Sequence, residues 1–424
     1  IGMVNKINSI KGFQDILPKD AIFYRDIEKM LLSLTNSFGI KEVRTPILER
    51  SELFNRSIGD STDIVNKEMY AFEDKNGDNI CLRPEGTAGI LRSMIQHNMI
   101  YDRGIKKQKI WYYGPMFRHE NPQKGRYRQF TQFGIEYFGY DDTNSEIELI
   151  LMMNTFFKSL NLKNIKLHIN SLGSLADRNN YKEIIKSNIS DKIESFEESV
   201  KLTFNKNPLR LLDSKNENIA KICAELPNLL ENINSDSKNK FDDFVKKLED
   251  LGIEYIIDNS IVRGLDYYND LVFEWKADQL GAQNAICAGG RYDNLVNELS
   301  DTSVPAIGLA MGVERIIELL KNENYQNNHI ILPFVDEHGG NNINFIKITN
   351  KIREKHKAFN FFNTDTSASF KSQLKYAKKI NPDIAILIDS SKLSDEIKIY
   401  YTSSNTDLKI DIKDLNKKIQ DFYE

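Results

Sequence analysis

Two aromatic-rich runs, Ile110 to Arg118 and Arg128 to Tyr140, flank a polar loop, His119 to Tyr127, that contains Pro122 and Gly125. Such runs predict two long antiparallel strands joined by a basic loop, and a hairpin of that length needs a sheet around it. Between Tyr101 and Phe130 lie eight Lys/Arg against Asp102 and Glu120, although the whole chain carries a net charge of −4. That balance argues against nonspecific coating of nucleic acid, whereas local basic charge suits phosphate groups held at one place. A solvated basic loop is the alternative.

The remaining composition narrows the class. With 424 residues, 40% hydrophobic, the chain predicts two or three globular domains and excludes collagen-like, low-complexity and mainly disordered proteins. Cys81, Cys223 and Cys287 form no C-x-x-C pair and the six histidines lie far apart. A disulfide scaffold and a dedicated metal cage are therefore not expected, and a reducing, cytoplasmic setting is. The longest apolar run, near Ile147 to Phe157, is interrupted by Glu148 and Asn154. It falls short of the ~20 residues needed to span a bilayer, so no membrane partner is expected. Ile1-Gly2 ahead of Met3 reads as a cloning remnant, and no basic leader with an apolar core is apparent.

Periodicity predicts a helix over Asp20–Phe38 closed by Gly39, an edge strand over Lys41–Leu48 interrupted by Pro46, a strand over Asn79–Pro84 and a helix over Thr87–His97. A helix over Asn144–Leu160 and a strand over Ile165–Ile169 follow. Residues 171–252, rich in Asn, Lys, Glu and Ser, read as a mostly helical insertion. Strands return over Asn259–Trp275, Ala285–Ala288 and Pro305–Ala310, before a helix over Gly312–Leu320. Beyond the polar stretch Lys321–His329, alternating strand and helix patterns predict a small α/β domain. The expected organisation is a first part of a main domain over 1–170, the insertion over 171–252, a second part over 253–325, and a terminal domain over 330–424.

The chain contains neither Gly-Lys nor G-x-G-x-x-G, so the common nucleotide loops are absent. Arginines stand in their place. Arg118 ends the first hairpin strand, where a guanidinium can grip phosphate bidentately or form an ordinary ion pair. On the opposite strand Arg128, Phe130, Gln132, Gly134 and Glu136 share one face, with Gln132 and Glu136 ~13 Å apart. Both could touch one small zwitterion lying over side-chain-free Gly134. Leu82-Arg-Pro-Glu-Gly-Thr87 places Glu85 at a strand-to-helix turn, with Thr87 able to cap the helix. Tyr267 and Tyr268, read within a strand, should face opposite sides of it. Gly289-Gly290 permits a close backbone approach, and Ala306 to Arg315 reads as strand, glycine turn and helix with Arg315 in the first turn.

Together these segments resemble the class II aminoacyl-tRNA synthetases, and among them the histidyl-tRNA synthetase family. Lys11-Gly-Phe-Gln-Asp-Ile-Leu-Pro18 is similar to its N-terminal signature, Val43 to Pro46 to its first motif, Tyr113 to Gly139 to the second, and Ala306 to Arg315 to the third. Arg263-Gly-Leu-Asp-Tyr-Tyr268 and Ala288-Gly-Gly-Arg-Tyr-Asp293 resemble its two histidine boxes. Phe370 to Tyr376 resembles a segment of an anticodon-binding domain.

The resemblance implies an α+β catalytic domain built on an antiparallel sheet, with a helical insertion and a C-terminal α/β anticodon-binding domain. It implies activation of L-histidine by ATP with Mg2+, then transfer to histidine tRNA, by a cytoplasmic homodimer. On that pattern Arg118 holds the ATP α-phosphate beside Glu120, Arg315 holds the terminal phosphates, and Arg263 stabilises the transition state, Arg263 and Arg118 being the catalytic pair. Glu85, Gly86, Thr87 and Gln132 surround the α-amino group, Glu136, Tyr267 and Tyr268 the imidazole, and Gln123 and Arg126 meet the tRNA acceptor end. Asn121 stands where the family often has a basic residue, and Asp389-Ser-Ser391 where a Gly-Glu pair is common. A non-catalytic, histidine-binding paralogue is the main rival. Intact boxes and a domain-sized tail argue for the enzyme.

Overall fold

The computed structural model describes residues 7–423 except 60–61, 101–106, 194, 215, 263–266, 282–283, 301, 323–330, 340–341, 358 and 381. The chain divides into two compact units, Ile1–Tyr325 and Gln326–Glu424.

The strands of the first unit are β1 (Lys41–Glu42), β2 (Leu48–Arg50), β3 (Tyr70–Glu73), β4 (Asn79–Leu82), β5 (Gln108–Phe117), β6 (Gln129–Phe138), β7 (Ile165–Ser171), β8 (Tyr255–Ile257), β9 (Asn269–Ala277), β10 (Ala285–Arg291) and β11 (Ala306–Gly312). Its helices are α1 (Pro18–Ser37), α2 (Ser51–Ile58), α3 (Thr87–Gln96), α4 (Thr143–Ser159), α5 (Leu175–Ile193), α6 (Glu198–Lys206), α7 (Glu217–Ala224), α8 (Ser235–Asp250), α9 (Asp293–Leu299) and α10 (Val313–Asn322). Eight strands form one sheet in the order β1-β5-β6-β11-β10-β9-β7-β8, antiparallel except for the outer pairs β1/β5 and β7/β8. The other three make a small sheet, β2-β4-β3.

The two-residue period of the strands sorts side chains onto two cores. Phe133, Ile135 and Tyr137 of β6, Phe273 and Trp275 of β9 and Leu309 of β11 point to a face covered by α1, α4, α8 and α10. Gln132, Gly134 and Glu136 therefore face the other way, where Tyr112, Phe138, Val272 and Tyr292 meet α3, α5 and α9. α5 joins that side through Tyr181, Ile185, Ile189 and Ile193, a stripe repeating every four residues. The 172–252 stretch is helical, but α8 packs on α4 and belongs with the main core through Phe241, Phe244 and Leu248.

Three local expectations need correction. Lys41–Leu48 is not one strand: β1 ends at Glu42 on the sheet edge and β2 begins at Leu48 in another sheet. Pro46, lacking an N–H, lies in the gap, where the Thr45 carbonyl accepts from Arg83 at 2.9 Å instead of from a ladder partner. The strand expected over Asn259–Trp275 starts only at Asn269. Tyr267 and Tyr268 precede it in a turn, so alternation does not apply. Both rings are buried on the same side, with centroids 4.7 Å apart.

Arg291 of the second box is almost wholly buried, donating to Glu146 of α4 at 2.9 and 2.7 Å and to Asp293 at 3.2 Å. It ties the end of β10 to α4 rather than facing a ligand. Arg291→Ala is expected to destabilise the fold by about 3–5 kcal/mol, because it leaves the buried Glu146 carboxylate uncompensated. Denaturant unfolding checks this.

The second unit comprises β12 (Ile331–Asp336), α11 (Ile343–Lys355), β13 (Asn360–Asn363), α12 (Phe370–Lys379), β14 (Ile384–Ile388), β15 (Glu396–Tyr401), β16 (Thr406–Asp411) and α13 (Leu415–Tyr423). Its sheet order is β13-β12-β14-β15-β16. The first three strands are parallel, and β15 and β16 add an antiparallel meander.

Candidate active site

The turn between β4 and α3 brings Glu85, Gly86 and Thr87 against β6. The Glu85 carboxylate, rather than Thr87, caps α3: it accepts from the Thr87 N–H at 2.7 Å and the Ala88 N–H at 2.9 Å. A carboxylate suits a helix N-terminus, where orphan N–H groups and the dipole favour negative charge. The Thr87 hydroxyl is thereby released to donate to Glu136 Oε1 at 2.6 Å. Tyr292 donates to Glu136 Oε2.

Glu85 and Glu136 are both nearly inaccessible, at 3% and 1% exposure. Burial raises the Glu85 carboxyl, with the α3 amides and Arg118 opposing, and pushes Glu136 up to about 8 against the bonds from Thr87 and Tyr292. Burial holds the hydroxyls of Tyr112, Tyr267 and Tyr292 well above their ordinary range, helped at Tyr292 by Glu136 and at Tyr112 and Tyr267 by both acids. A bound ammonium and an imidazole N–H would supply what these carboxyls lack.

The space above Gly134 is not open floor. Tyr112, its register partner on β5, lays its ring there, and a Cβ at Gly134 or Gly86 would collide with that ring. The Tyr112 hydroxyl donates to Gln132 Oε1 at 3.1 Å, which also accepts from the Gly86 N–H at 3.0 Å. Both lone pairs of that oxygen are thus engaged, and the amide nitrogen remains as a donor.

Gln132 also lines an adjoining cavity of about 390 Å3, together with Arg118, Glu120, Arg126, Phe130, Glu274, Ala285 to Ala288 and Arg315. Arg118 is fixed by a bond from Nε to the Pro84 carbonyl at 2.8 Å and lies over the Phe130 ring at 5.3 Å. Arg126 pairs with Glu120 at 3.1 Å. Arg315 donates to the Ala285 carbonyl at 2.5 Å, and burial, reinforced by Arg126 and Arg118, pushes its guanidinium down to about 10. Arg118 and Arg126 weaken the charge of Arg315 across one cavity, and three arginines gathered there favour a polyanion.

Of the residues expected at the site, Glu85, Gly86, Thr87, Gln132, Glu136, Tyr267 and Tyr268 come together in a buried cluster, and Arg118, Glu120, Arg126 and Arg315 line the cavity beside it. Gln123 is exposed, bonded backbone to backbone with Arg126. Arg263 lies outside the described residues. Tyr112 and Tyr292 escaped sequence reasoning. Register with Gly134 could have marked the first, and position beside Arg291 in the second box the second. Asp213 of the insertion also lines the cavity, with no sequence signal for it.

A sheet of this topology bearing an arginine-lined cavity beside a buried acidic cluster defines a class II aminoacyl-tRNA synthetase. The family model for histidyl-tRNA synthetase matches residues 12–316. A histidine–tRNA ligase of Legionella pneumophila (strain Lens) is 42% identical over 424 residues, covering 99% of this chain and 96% of the relative. One from Buchnera aphidicola subsp. Schizaphis graminum is 41% identical, covering 92% of each. The apo histidyl-tRNA synthetase of S. aureus superposes with a TM-score of 0.77 at 30% identity, covering 97% of this chain and 99% of that one. The chain belongs to the histidyl-tRNA synthetase family.

Proposed function

We infer that the protein is a histidine–tRNA ligase, which activates L-histidine with ATP to histidyl-adenylate and pyrophosphate and then esterifies the 3′ end of histidine tRNA. The observation that carries this reading is Gln132, which lies both beside the Glu85–Thr87 turn and in the arginine-lined cavity. An amino acid in the pocket would have its carboxylate next to the α-phosphate of ATP in the cavity.

Glu85 and the lone pairs of Thr87 Oγ1 hold the α-ammonium, the Gln132 amide nitrogen donates to the carboxylate, and Glu136 accepts from the imidazole, with Tyr267 and Tyr268 walling the pocket. Arg118 holds the α-phosphate and Arg315 the terminal phosphates. Arg263, on motif resemblance, adds charge stabilisation as the carboxylate attacks. No general base is required of the protein, because the nucleophile is already ionised and the work is positioning and charge neutralisation.

Mg2+ fits this donor set as an ion that arrives with ATP. Among the described residues no group of three or more metal-ligating side chains exists. Glu120 and Glu274, which line the cavity, would hold the ion, and it would neutralise phosphate charge. Arg126 and Gln123 are assigned to the tRNA acceptor end, and the second unit to the anticodon. Exposed Ile47, Leu48 and Phe72 on and beside the β2-β4-β3 sheet support a homodimer, which light scattering tests. No described helix is long and apolar enough to cross a membrane, and Cys81, Cys223 and Cys287 are free thiols, in keeping with a cytoplasmic location.

Histidine-dependent exchange of pyrophosphate into ATP, with the other nineteen amino acids as controls and then aminoacylation of histidine tRNA, tests the function. Exchange with histidine alone followed by charging is the expected result. Histidine binding without exchange would point to a histidine-sensing paralogue.

A further inference from the structure

We propose that Tyr292 is the positioning residue for Glu136: its hydroxyl, with that of Thr87, clamps the two carboxyl oxygens so that the group faces the imidazole in one orientation and gives up its proton when histidine binds. The proposal rests on the reading of Glu136 as the imidazole acceptor.

Three observations carry it. The carboxylate has one donor per oxygen, Thr87 on Oε1 and Tyr292 on Oε2, so it cannot rotate without losing both bonds. The space it occupies is cleared on purpose by the opposite strand: Gly308 of β11 pairs with Glu136, and a Cβ there would collide with Oε2. Tyr292 is itself fixed, its ring packed edge-on against Phe138, Tyr267 and Tyr268 at 6.5, 5.6 and 6.4 Å between centroids. Its N–H bonds the Ala306 carbonyl at 2.8 Å. A phenol held this rigidly on a buried acid is a device for orientation, since a freely turning carboxylate would accept from many donors.

The same contact bears on ionisation. The titratable groups facing Glu136 are Glu85 from the β4–α3 turn, Tyr112 from β5, Tyr267 from the turn before β9, and Tyr292 after β10. Burial and Glu85 favour the protonated acid, while Thr87 and Tyr292 favour the carboxylate. A protonated Glu136 has one oxygen committed to its own proton and accepts poorly from an imidazole N–H.

Tyr292→Phe keeps the ring packing and removes the donor. In pyrophosphate exchange between pH 6 and 9, kcat/KM for histidine is expected to fall about tenfold at pH 7 and to recover toward wild type as pH rises, with KM for ATP within twofold. The titration of free histidine is common to both enzymes and cancels in the ratio. A parallel fall in kcat at saturating histidine at every pH, with no displacement of the profile, would mean that Tyr292 is only scaffold. Calorimetric binding of histidine to the soluble variant provides the same comparison if turnover is too slow to follow. Glu136→Gln separates the two failures. If it binds histidine like wild type, the role of Glu136 fails. If it loses affinity while Tyr292→Phe keeps both affinity and pH profile, the role of Tyr292 alone fails.

Discussion

Arg118→Ala is expected to lower the rate of histidine-dependent pyrophosphate exchange by about 10²–10³-fold while histidine affinity changes less than about threefold. The guanidinium is already oriented before any ligand arrives, by its bond to the Pro84 carbonyl and by the Phe130 ring beneath it. It therefore needs little reorganisation as charge develops on the α-phosphate. Arg118→Lys should recover little, because a lysine offers a point charge in place of a planar fork and cannot hold the Pro84 carbonyl and a phosphate together. Exchange within threefold of wild type in Arg118→Ala would remove the residue from the machinery.

Glu136→Gln should produce opposite effects on activity and stability. The kcat/KM for histidine is expected to drop about 10²-fold, since the charged acceptor is lost and the new NH2 replaces an oxygen that Thr87 or Tyr292 donates to, while ATP binding is untouched. Stability should move the other way. Folding raises this carboxyl from an ordinary 4.5 to about 8, so the folded protein retains a proton that the unfolded chain releases. The destabilisation is absent below pH ~4.5 and grows as pH rises through that window. Glutamine carries no such cost. The variant should therefore melt a few degrees above wild type near pH 8, with the gap closing toward pH 5. A constant gap across that range would contradict a buried, raised Glu136.

These expectations depend on residues whose placement was legible to different degrees. The hairpin and the shared face of Gln132 and Glu136 follow from a two-residue period, which survives any context that keeps the strand regular. Arg315 in the first turn of α10 follows from a glycine-terminated strand running into a helical pattern. What failed were inferences about what fills space. Gly134 implies room on its own strand, but Tyr112 on the neighbouring strand takes it, and register is a nonlocal property. Alternation puts Tyr267 and Tyr268 on opposite faces only if the strand includes them, whereas β9 begins at Asn269. β13, β15, β16 and α13 carry weaker patterns among many charged residues, which periodicity alone does not separate from loop. The burial of Arg291 depends on Glu146, 145 residues earlier in the chain.

Sheet order has a consequence for biosynthesis. β6 lies between β5, its hairpin neighbour, and β11, whose Gly308 pairs with Glu136 across a separation of 172 residues. A ribosome adding roughly 5–20 residues per second needs about 10–35 s to bridge that interval. During it the nascent hairpin carries an unsatisfied edge with Phe133, Ile135 and Tyr137 exposed, a template for pairing with another chain. The strand that pairs with Glu136 is thus also the one that ends the aggregation hazard, and slow translation between β6 and β11 should lower the yield of folded protein without altering its sequence.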